Sequence, residues 1–86
     1  MTISEYQKHL DSILQNYETP YWSPLSNLAH LAEETGEVAR ILNHKYGDKP
    51  KKSTDGVDDL SDELADVIFS VVCIANYESI DLEKAM

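Results

Sequence analysis

The sequence has few of the residues that cross-link or interrupt a chain. Its 86 residues include one cysteine, three glycines and three prolines. An intrachain disulfide is therefore excluded, and a single thiol, Cys73, is typical of a reducing compartment. Residues 1–5 lack the basic and apolar regions of a signal peptide. No apolar stretch approaches the roughly 20 residues that span a bilayer. We therefore expect a cytoplasmic protein with no membrane partner.

Basic residues are also scarce. The chain has 7 lysines and arginines against 16 aspartates and glutamates, which gives a formal net charge of -9. Such a surface repels phosphate backbones, so a nucleic-acid polymer is not expected as a partner. The length allows one domain, residues 1–86, which buries only roughly 60–65% of the surface of its unfolded chain. We expect a metal ion or a second subunit to supplement so small a core.

Apolar residues recur at helical spacing in the first half of the chain. The first predicted helix has Ser4 as its N-cap and is broken before Pro20. Its apolar positions are Tyr6, Leu10, Ile13, Leu14 and Tyr17. The second begins with Ser23 as a cap and Pro24 at the first helical position, and it ends at Gly47. Its predicted buried seam is formed by Leu28, Leu31, Thr35, Val38 and Leu42.

The second half predicts a loop, a long helix and the beginning of another. Residues 47–58 carry no apolar pattern, and a third helix starts near residues 58–59 and continues to 75–76. Ser79 or Asp81 caps a short fourth helix. Because no strand-period alternation is visible, the sequence predicts an all-α, antiparallel helical bundle.

The third predicted helix is apolar on almost every side from Leu64 to Ala75. A helix of this kind is buried all round. Since the chain offers few other elements to cover it, we expect a second copy of the chain to do so, which predicts a homo-oligomer. The alternative is a loosely packed monomer.

Two pairs of acidic residues adjoin the apolar faces of these helices. Glu34 and Glu37 are spaced at i, i+3 on one face of the second helix, at the margin of its apolar stripe, whereas Glu33 points towards solvent. Glu63 and Asp66 have the same spacing on the third helix, in largely apolar surroundings. A carboxylate with little access to water must be protonated, paired or bound to a metal.

A divalent cation satisfies these acids best. Arg40 is the only arginine and cannot neutralise four carboxylates. Ligation by oxygen alone selects Mg²⁺ or Mn²⁺ over zinc. A di-iron bundle would use Glu-x-x-His pairs, but Arg40 and Asp66 occupy the histidine positions. Protein-bound Mg²⁺ usually bridges to a phosphate, so the pattern predicts hydrolysis or transfer at a phosphate. The alternative is a pair of ordinary amphipathic helices with charged edges.

These acids belong to a longer pattern. Glu33-Glu34-Thr35-Gly36-Glu37 is followed, after the 25 residues 38–62, by Glu63-Leu64-Ala65-Asp66. Together with Ser23-Pro24 and residues 80–85, the pattern resembles the MazG-type nucleoside triphosphate pyrophosphohydrolases, whose signature is Glu-Glu-x-x-Glu followed by Glu-x-x-Asp. The resemblance extends from about Tyr17 to the C-terminus.

The resemblance implies an all-α NTP pyrophosphatase fold, assembled as a homodimer or homotetramer. The implied reaction is Mg²⁺-dependent hydrolysis of a nucleoside triphosphate to the monophosphate and pyrophosphate, including the removal of non-standard nucleotides. Carried over to this sequence, Glu34, Glu37, Glu63 and Asp66 match the metal ligands. Glu33, Glu34 and Glu37 match the catalytic glutamates, with Glu33 able to orient water.

Three further residues are candidates for contact with the substrate. Trp22 lies where some family members have an aromatic residue or a histidine near the base, but it is also placed to plug the core. His30, one turn before Glu34, either hydrogen-bonds the site or is structural. Asn76 ends the third helix and either caps it or contacts substrate.

One departure from the family is expected. Family members usually continue beyond the segment that matches residues 82–85 into a helix rich in lysine and arginine, which helps to hold phosphates. The sequence ends at Met86, so we expect the domain to lack that helix. Two other functions stay open: a non-catalytic helical dimerisation module, and an enzyme resembling phosphoribosyl-ATP pyrophosphatase, which has a similar acid pattern.

Overall fold

Four helices form the part of the chain described by a computed structural model, which covers residues 1–52, 56 and 59–86. They are α1 (Ile3–Leu14), α2 (Pro24–Tyr46), α3 (Leu60–Tyr77) and α4 (Leu82–Ala85). The long helices α2 and α3 pack against each other, and α1 packs against α3 and α4. No strand occurs within these residues, which confirms the predicted all-α fold. Nor does any helix there have the length and apolarity needed to cross a membrane.

The start of α1 differs from the prediction. Thr2 is the N-cap, not Ser4: its hydroxyl accepts a hydrogen bond from the backbone N–H of Glu5, and the Glu5 carboxylate accepts one from the N–H of Thr2. This capping box satisfies two backbone donors at once, so it is favoured over a single serine cap. The helix also ends earlier than predicted, at Leu14, and Tyr17 is exposed in the connection to α2.

Both ends of α2 are as predicted. The Ser23 hydroxyl accepts a hydrogen bond from the N–H of Ser26, and Pro24 is the first helical residue. At the other end, the N–H of Gly47 donates to the carbonyl of Asn43. A side chain at Gly47 would not fit, because a Cβ there would lie 2.8 Å from that carbonyl oxygen and 2.0 Å from the Asn43 side chain.

The buried face of α2 is rotated from the predicted seam. Of that seam, Leu31 and Val38 are partly buried, but Leu28, Thr35 and Leu42 are exposed. The face that meets α3 is centred instead on three residues at i, i+7 and i+14, namely Asn27, Glu34 and Ile41. The apolar pattern alone could not find this face, because two of its three residues are polar.

The helix α3 begins at Leu60, close to the predicted start, and the Asp59 carboxylate caps it by accepting a hydrogen bond from the N–H of Asp62. Of the predicted loop, residues 53–55, 57 and 58 lie outside the described residues. Asp81 caps α4 by accepting from the N–H of Lys84, so it, and not Ser79, fills the predicted role.

The core lies between α1 and α3. Leu10, Val72 and Cys73 are buried there. Side chains from α1, α3, α4 and the α1–α2 connection pack around them: Ile3, Tyr6, Leu14, Tyr21, Phe69 and Leu82. By contrast, another side of α3 is left open by the described residues, since Leu64, Ile68 and Val71 are 47%, 50% and 37% exposed. These three residues follow helical spacing and form an exposed apolar stripe on α3.

Candidate metal centre and adjoining cavity

Three carboxylates meet where α2 packs against α3. Glu34 comes from α2, while Glu63 and Asp66, spaced at i, i+3, come from one face of α3. One carboxylate oxygen of each residue lies within 4.8 Å of the others. Glu34 and Glu63 are partly buried and Asp66 is exposed, so the group lies at the edge of the helix pair. We call these three residues the acid cluster.

Within the acid cluster, Glu63 holds its proton more tightly than an ordinary glutamate does. A hydrogen bond with Glu34 raises the pKa of Glu63 to about 7, helped by burial and by the negative charges of Glu34, Asp66 and Glu37. The second oxygen of Glu63, Oε2, is buried and has no hydrogen-bond partner among the described residues. A buried acceptor without a partner costs free energy, so this oxygen is suited to a ligand other than the side chains that the structure describes.

The donor set determines which ligand fits. The acid cluster offers only carboxylate oxygens, which are the preferred ligands of hard divalent cations. A cation would neutralise the repulsion among the three acids and engage the buried Oε2 of Glu63. The residues present therefore fit a metal of the magnesium type.

The other two predicted acids lie outside the acid cluster. The Glu37 carboxylate accepts hydrogen bonds from Nε and Nη2 of Arg40, at 3.1 and 2.9 Å. Its negative charge still contributes to the raised pKa of Glu63. Glu33 is exposed on α2, in agreement with its predicted direction towards solvent.

A cavity of about 250 Å³ adjoins this site and is bounded mostly by apolar groups. Trp22 and His30 form part of its wall, with their rings edge to face and 5.7 Å between centroids. His30 also links the cavity to the acid cluster, since its Nδ1 lies 3.7 Å from Oε1 of Glu34. On the other side, Phe69 and Cys73 of α3 line the cavity.

The N-terminal end of α2 holds the cavity wall in place. Asn27 is 5% exposed, and its side-chain amide donates a hydrogen bond to the Trp22 carbonyl at 3.2 Å. This bond fixes the backbone at Trp22, while the residue as a whole is 59% exposed. Such an aromatic wall, open on one side, is suited to a flat, partly apolar ligand group.

Of the candidate substrate residues, Asn76 alone does not line the cavity. Its side-chain amide donates to the backbone carbonyl of Gln7 and to the Tyr21 hydroxyl, both at 3.1 Å. The helix α3 continues one residue further, to Tyr77, so Asn76 does not end it. The sequence reasoning missed Tyr21, Phe69 and Cys73 as lining residues. Only Tyr21 had a local signal, its place between Pro20 and Trp22.

The all-helical fold and the carboxylates that meet between α2 and α3 agree with the family resemblance of the sequence, and comparisons with known proteins identify the same family. The family model of the MazG nucleotide pyrophosphohydrolase domain matches residues 22–86. The chain therefore belongs to the MazG nucleotide pyrophosphohydrolase family.

Similar proteins extend the match to almost the whole chain. The uncharacterised protein YpjD of Bacillus subtilis (strain 168) is 43% identical over 84 residues, which are 98% of this chain and 76% of that protein. The crystal structure of YpjD from Bacillus subtilis superposes with a TM-score of 0.86 at 42% identity, covering 99% of this chain and 87% of that one. The crystal structure of the Bacillus-conserved MazG protein, a nucleotide pyrophosphohydrolase, superposes with a TM-score of 0.83 at 39% identity. The match covers 99% of this chain and 81% of that one.

The raised pKa of Glu63 predicts an unusual dependence of stability on pH. Its folded pKa of about 7 exceeds the ordinary value of 4.5, so between these values the folded state binds the proton more tightly than the unfolded state. Glu63 therefore contributes fully to the free energy of unfolding when the pH is below its ordinary pKa, and this contribution is lost as the pH rises through its folded pKa. In EDTA, we expect the Tm of the wild type to fall more between about pH 5.5 and about pH 8 than that of Glu63→Gln.

The matched control is Glu18→Gln, which removes an exposed glutamate in the α1–α2 connection. This variant should keep the wild-type difference in Tm between the two pH values. If Tm falls by the same amount in Glu63→Gln as in the wild type over this interval, the neighbouring acids do not raise the pKa of Glu63.

Proposed function

We propose that this protein is a Mg²⁺-dependent nucleotide pyrophosphohydrolase that converts a nucleoside triphosphate to the monophosphate and pyrophosphate. The observation that carries the proposal is the acid cluster beside an aromatic-walled cavity, in a chain of the MazG family. The acid cluster supplies ligands for a metal that meets phosphates, and the cavity receives the base. Removal of non-standard nucleotides is the role we propose in the cell.

Glu34, Glu63 and Asp66 are the proposed ligands of Mg²⁺, or of Mn²⁺, which has similar preferences. Glu37 is the proposed fourth ligand. Its carboxylate is paired with Arg40 in the structure, so its ligation requires exchange of that ion pair for the metal. When bound, the metal neutralises negative charge on the triphosphate and lowers the pKa of coordinated water.

A carboxylate is also proposed to accept the proton that the attacking water loses. The oxygen of water bonds to the α-phosphorus while the bond from that phosphorus to the bridging oxygen breaks, so pyrophosphate leaves. Glu33 is exposed beside Glu34 and is proposed to orient the attacking water and accept its proton. Glu34 and Glu37 are proposed to contribute as ligands, which would hold the positive charge of a metal ion next to the scissile bond.

The base is proposed to enter the cavity between Trp22 and Phe69. Trp22 and His30 provide aromatic faces and edges for stacking. Because His30 lies between the cavity and Glu34, a base in the cavity places its phosphates towards the acid cluster. Asn76 donates to the Tyr21 hydroxyl and is not among the residues that line this cavity, so we propose no contact between Asn76 and the base.

The direct test is release of pyrophosphate from a panel of canonical and modified nucleoside triphosphates, with phosphoribosyl-ATP included. We expect turnover with Mg²⁺ and none in EDTA. Glu63→Gln and Asp66→Asn should each lower kcat/KM by about 100-fold or more, because loss of even an outer-shell partner of a metal costs about 10- to 100-fold. Glu18→Gln again serves as the control that keeps full activity.

Three results would contradict the proposal in different ways. Release of orthophosphate would indicate another bond specificity, and turnover of phosphoribosyl-ATP alone would indicate the related pyrophosphatase. Absence of turnover on every substrate, with Mg²⁺ and Mn²⁺, would favour a non-catalytic dimerisation module.

A homodimer or homotetramer is the proposed assembly. The stripe of Leu64, Ile68 and Val71 on α3 is exposed in the single chain, and on α2 Leu28 and Leu42 are 54% and 37% exposed. Apolar stripes on both long helices would be covered by a second copy of the chain, at a favourable free energy of burial. The charge of the acidic chain would remain on the other faces.

Replacement of Ile68 by glutamate should break this assembly, because it places a charge among apolar side chains at the interface. By light scattering after size exclusion, we expect a dimeric or tetrameric mass for the wild type and a monomeric mass for Ile68→Glu. His9→Glu adds the same charge at an exposed position on α1 and should keep the wild-type mass. A monomeric wild type, or an Ile68→Glu variant of unchanged mass, would contradict the proposed assembly.

A further inference from the structure

Two amide side chains from opposite ends of the sequence face each other near the core. Gln7 of α1 is 8% exposed, and its Nε2 donates to Oδ1 of Asn76 at 3.0 Å and to the carbonyl of Ile80 at 2.9 Å. Its Oε1 accepts from the N–H of Leu82 at 3.0 Å. Gln7 thus fastens α1 to the end of α3 and to the start of α4 through side-chain and backbone groups.

Asn76 completes the arrangement. Its Nδ2 donates both to the backbone carbonyl of Gln7 and to the Tyr21 hydroxyl. All four hydrogens of the two amides are therefore used, and both amide oxygens accept a bond. A polar network with every donor engaged has one favoured arrangement, since any other geometry leaves a partly buried group without a partner.

Tyr21 connects this network to the cavity. Its hydroxyl accepts from Asn76 and donates to Oδ1 of Asp11 at 2.5 Å. Burial, followed by the hydrogen bond to Asp11, raises the pKa of Tyr21 to about 12, so the hydroxyl keeps its proton at neutral pH. The Tyr21 ring lines the cavity, and the next residue is Trp22 of the cavity wall.

We propose that Asn76 is a positioning residue for the cavity beside the acid cluster. It donates to the Tyr21 hydroxyl, which itself donates to Asp11, and Gln7 holds Asn76 in turn. The ring of Tyr21 and the backbone of Trp22 are thereby fixed where a base would bind. The nature of the ligand rests on the proposed function, whereas the positioning itself does not.

A positioning role for Asn76 would affect binding of the nucleotide and not the rate of its hydrolysis. Asn76 contacts neither the acid cluster nor the cavity, so its loss should loosen the cavity wall without altering the carboxylates. Loss of one hydrogen bond of this kind corresponds to a change of about threefold to tenfold in binding. The KM for the nucleotide should rise by that factor, while kcat should change less than about twofold.

A double-mutant cycle with Asn76→Ala and Tyr21→Phe tests the proposal. Both variants remove the bond between Asn76 and the Tyr21 hydroxyl, and Tyr21→Phe also removes the bond to Asp11. We therefore expect each variant to raise KM and the increase in the double variant to be clearly smaller than the product of the two single increases. Tyr21→Phe keeps the ring and the Gln7–Asn76 bonds, so it remains informative if Asn76→Ala is too unstable to study. Tyr77→Phe, which removes a hydroxyl from the exposed neighbour of Asn76, should leave KM unchanged.

The second readout needs no substrate. Trp22 is the only tryptophan, so its indole N–H gives a single resonance in a ¹⁵N-labelled sample. That resonance should shift or broaden in Asn76→Ala and in Tyr21→Phe but not in Tyr77→Phe.

The outcomes distinguish this inference from the proposed function. Additive increases in KM, a fall in kcat at unchanged KM, or an unchanged Trp22 resonance in both variants would overturn the positioning role. If the wild type hydrolyses no nucleotide, the proposed function fails, and the Trp22 resonance alone decides whether Asn76 positions the cavity wall.

Discussion

The antiparallel packing of α2 on α3 places like charges together, and the site depends on this constraint. Glu34, Glu63 and Asp66 present oxygens within 4.8 Å of one another at the edge of a helix pair. Such an arrangement is unfavourable for three ionised carboxylates. It is relieved either by a proton, as the raised pKa of Glu63 indicates, or by a cation. The chain's only arginine is already engaged with Glu37, so it does not relieve the acid cluster.

A network of side-chain amides helps to hold α1, α3 and α4 together. The buried apolar core between α1 and α3 is small, with Leu10, Val72 and Cys73 at its centre. The amides of Gln7 and Asn76 add a satisfied network that joins α1, α3, α4 and Tyr21. Because Tyr21 and Cys73 also line the cavity, the same contacts that close the core shape the space beside the acid cluster.

The sequence predicted what depends on local chemistry and missed what depends on distant partners. Short-range rules correctly predicted the cap at Ser23 and the end of α2 at Gly47. The spacing of the acidic motif likewise indicated acids that lie together. The buried face of α2 was placed wrongly at Leu28 and Leu42, because its true partner surface includes the polar Asn27 and Glu34. No sequence rule pairs Gln7 with Asn76, which lie 69 positions apart.

Above all, we propose that the acid cluster binds a divalent cation. An anomalous difference map from crystals grown with Mn²⁺ tests it most directly, because the manganese signal marks the ion independently of the surrounding density. We expect a strong peak between Glu34, Glu63 and Asp66 in the wild type, and its loss or marked weakening in Glu63→Gln. A wild-type map with no peak there, or with peaks only at other acidic residues, would contradict binding of a cation by the acid cluster.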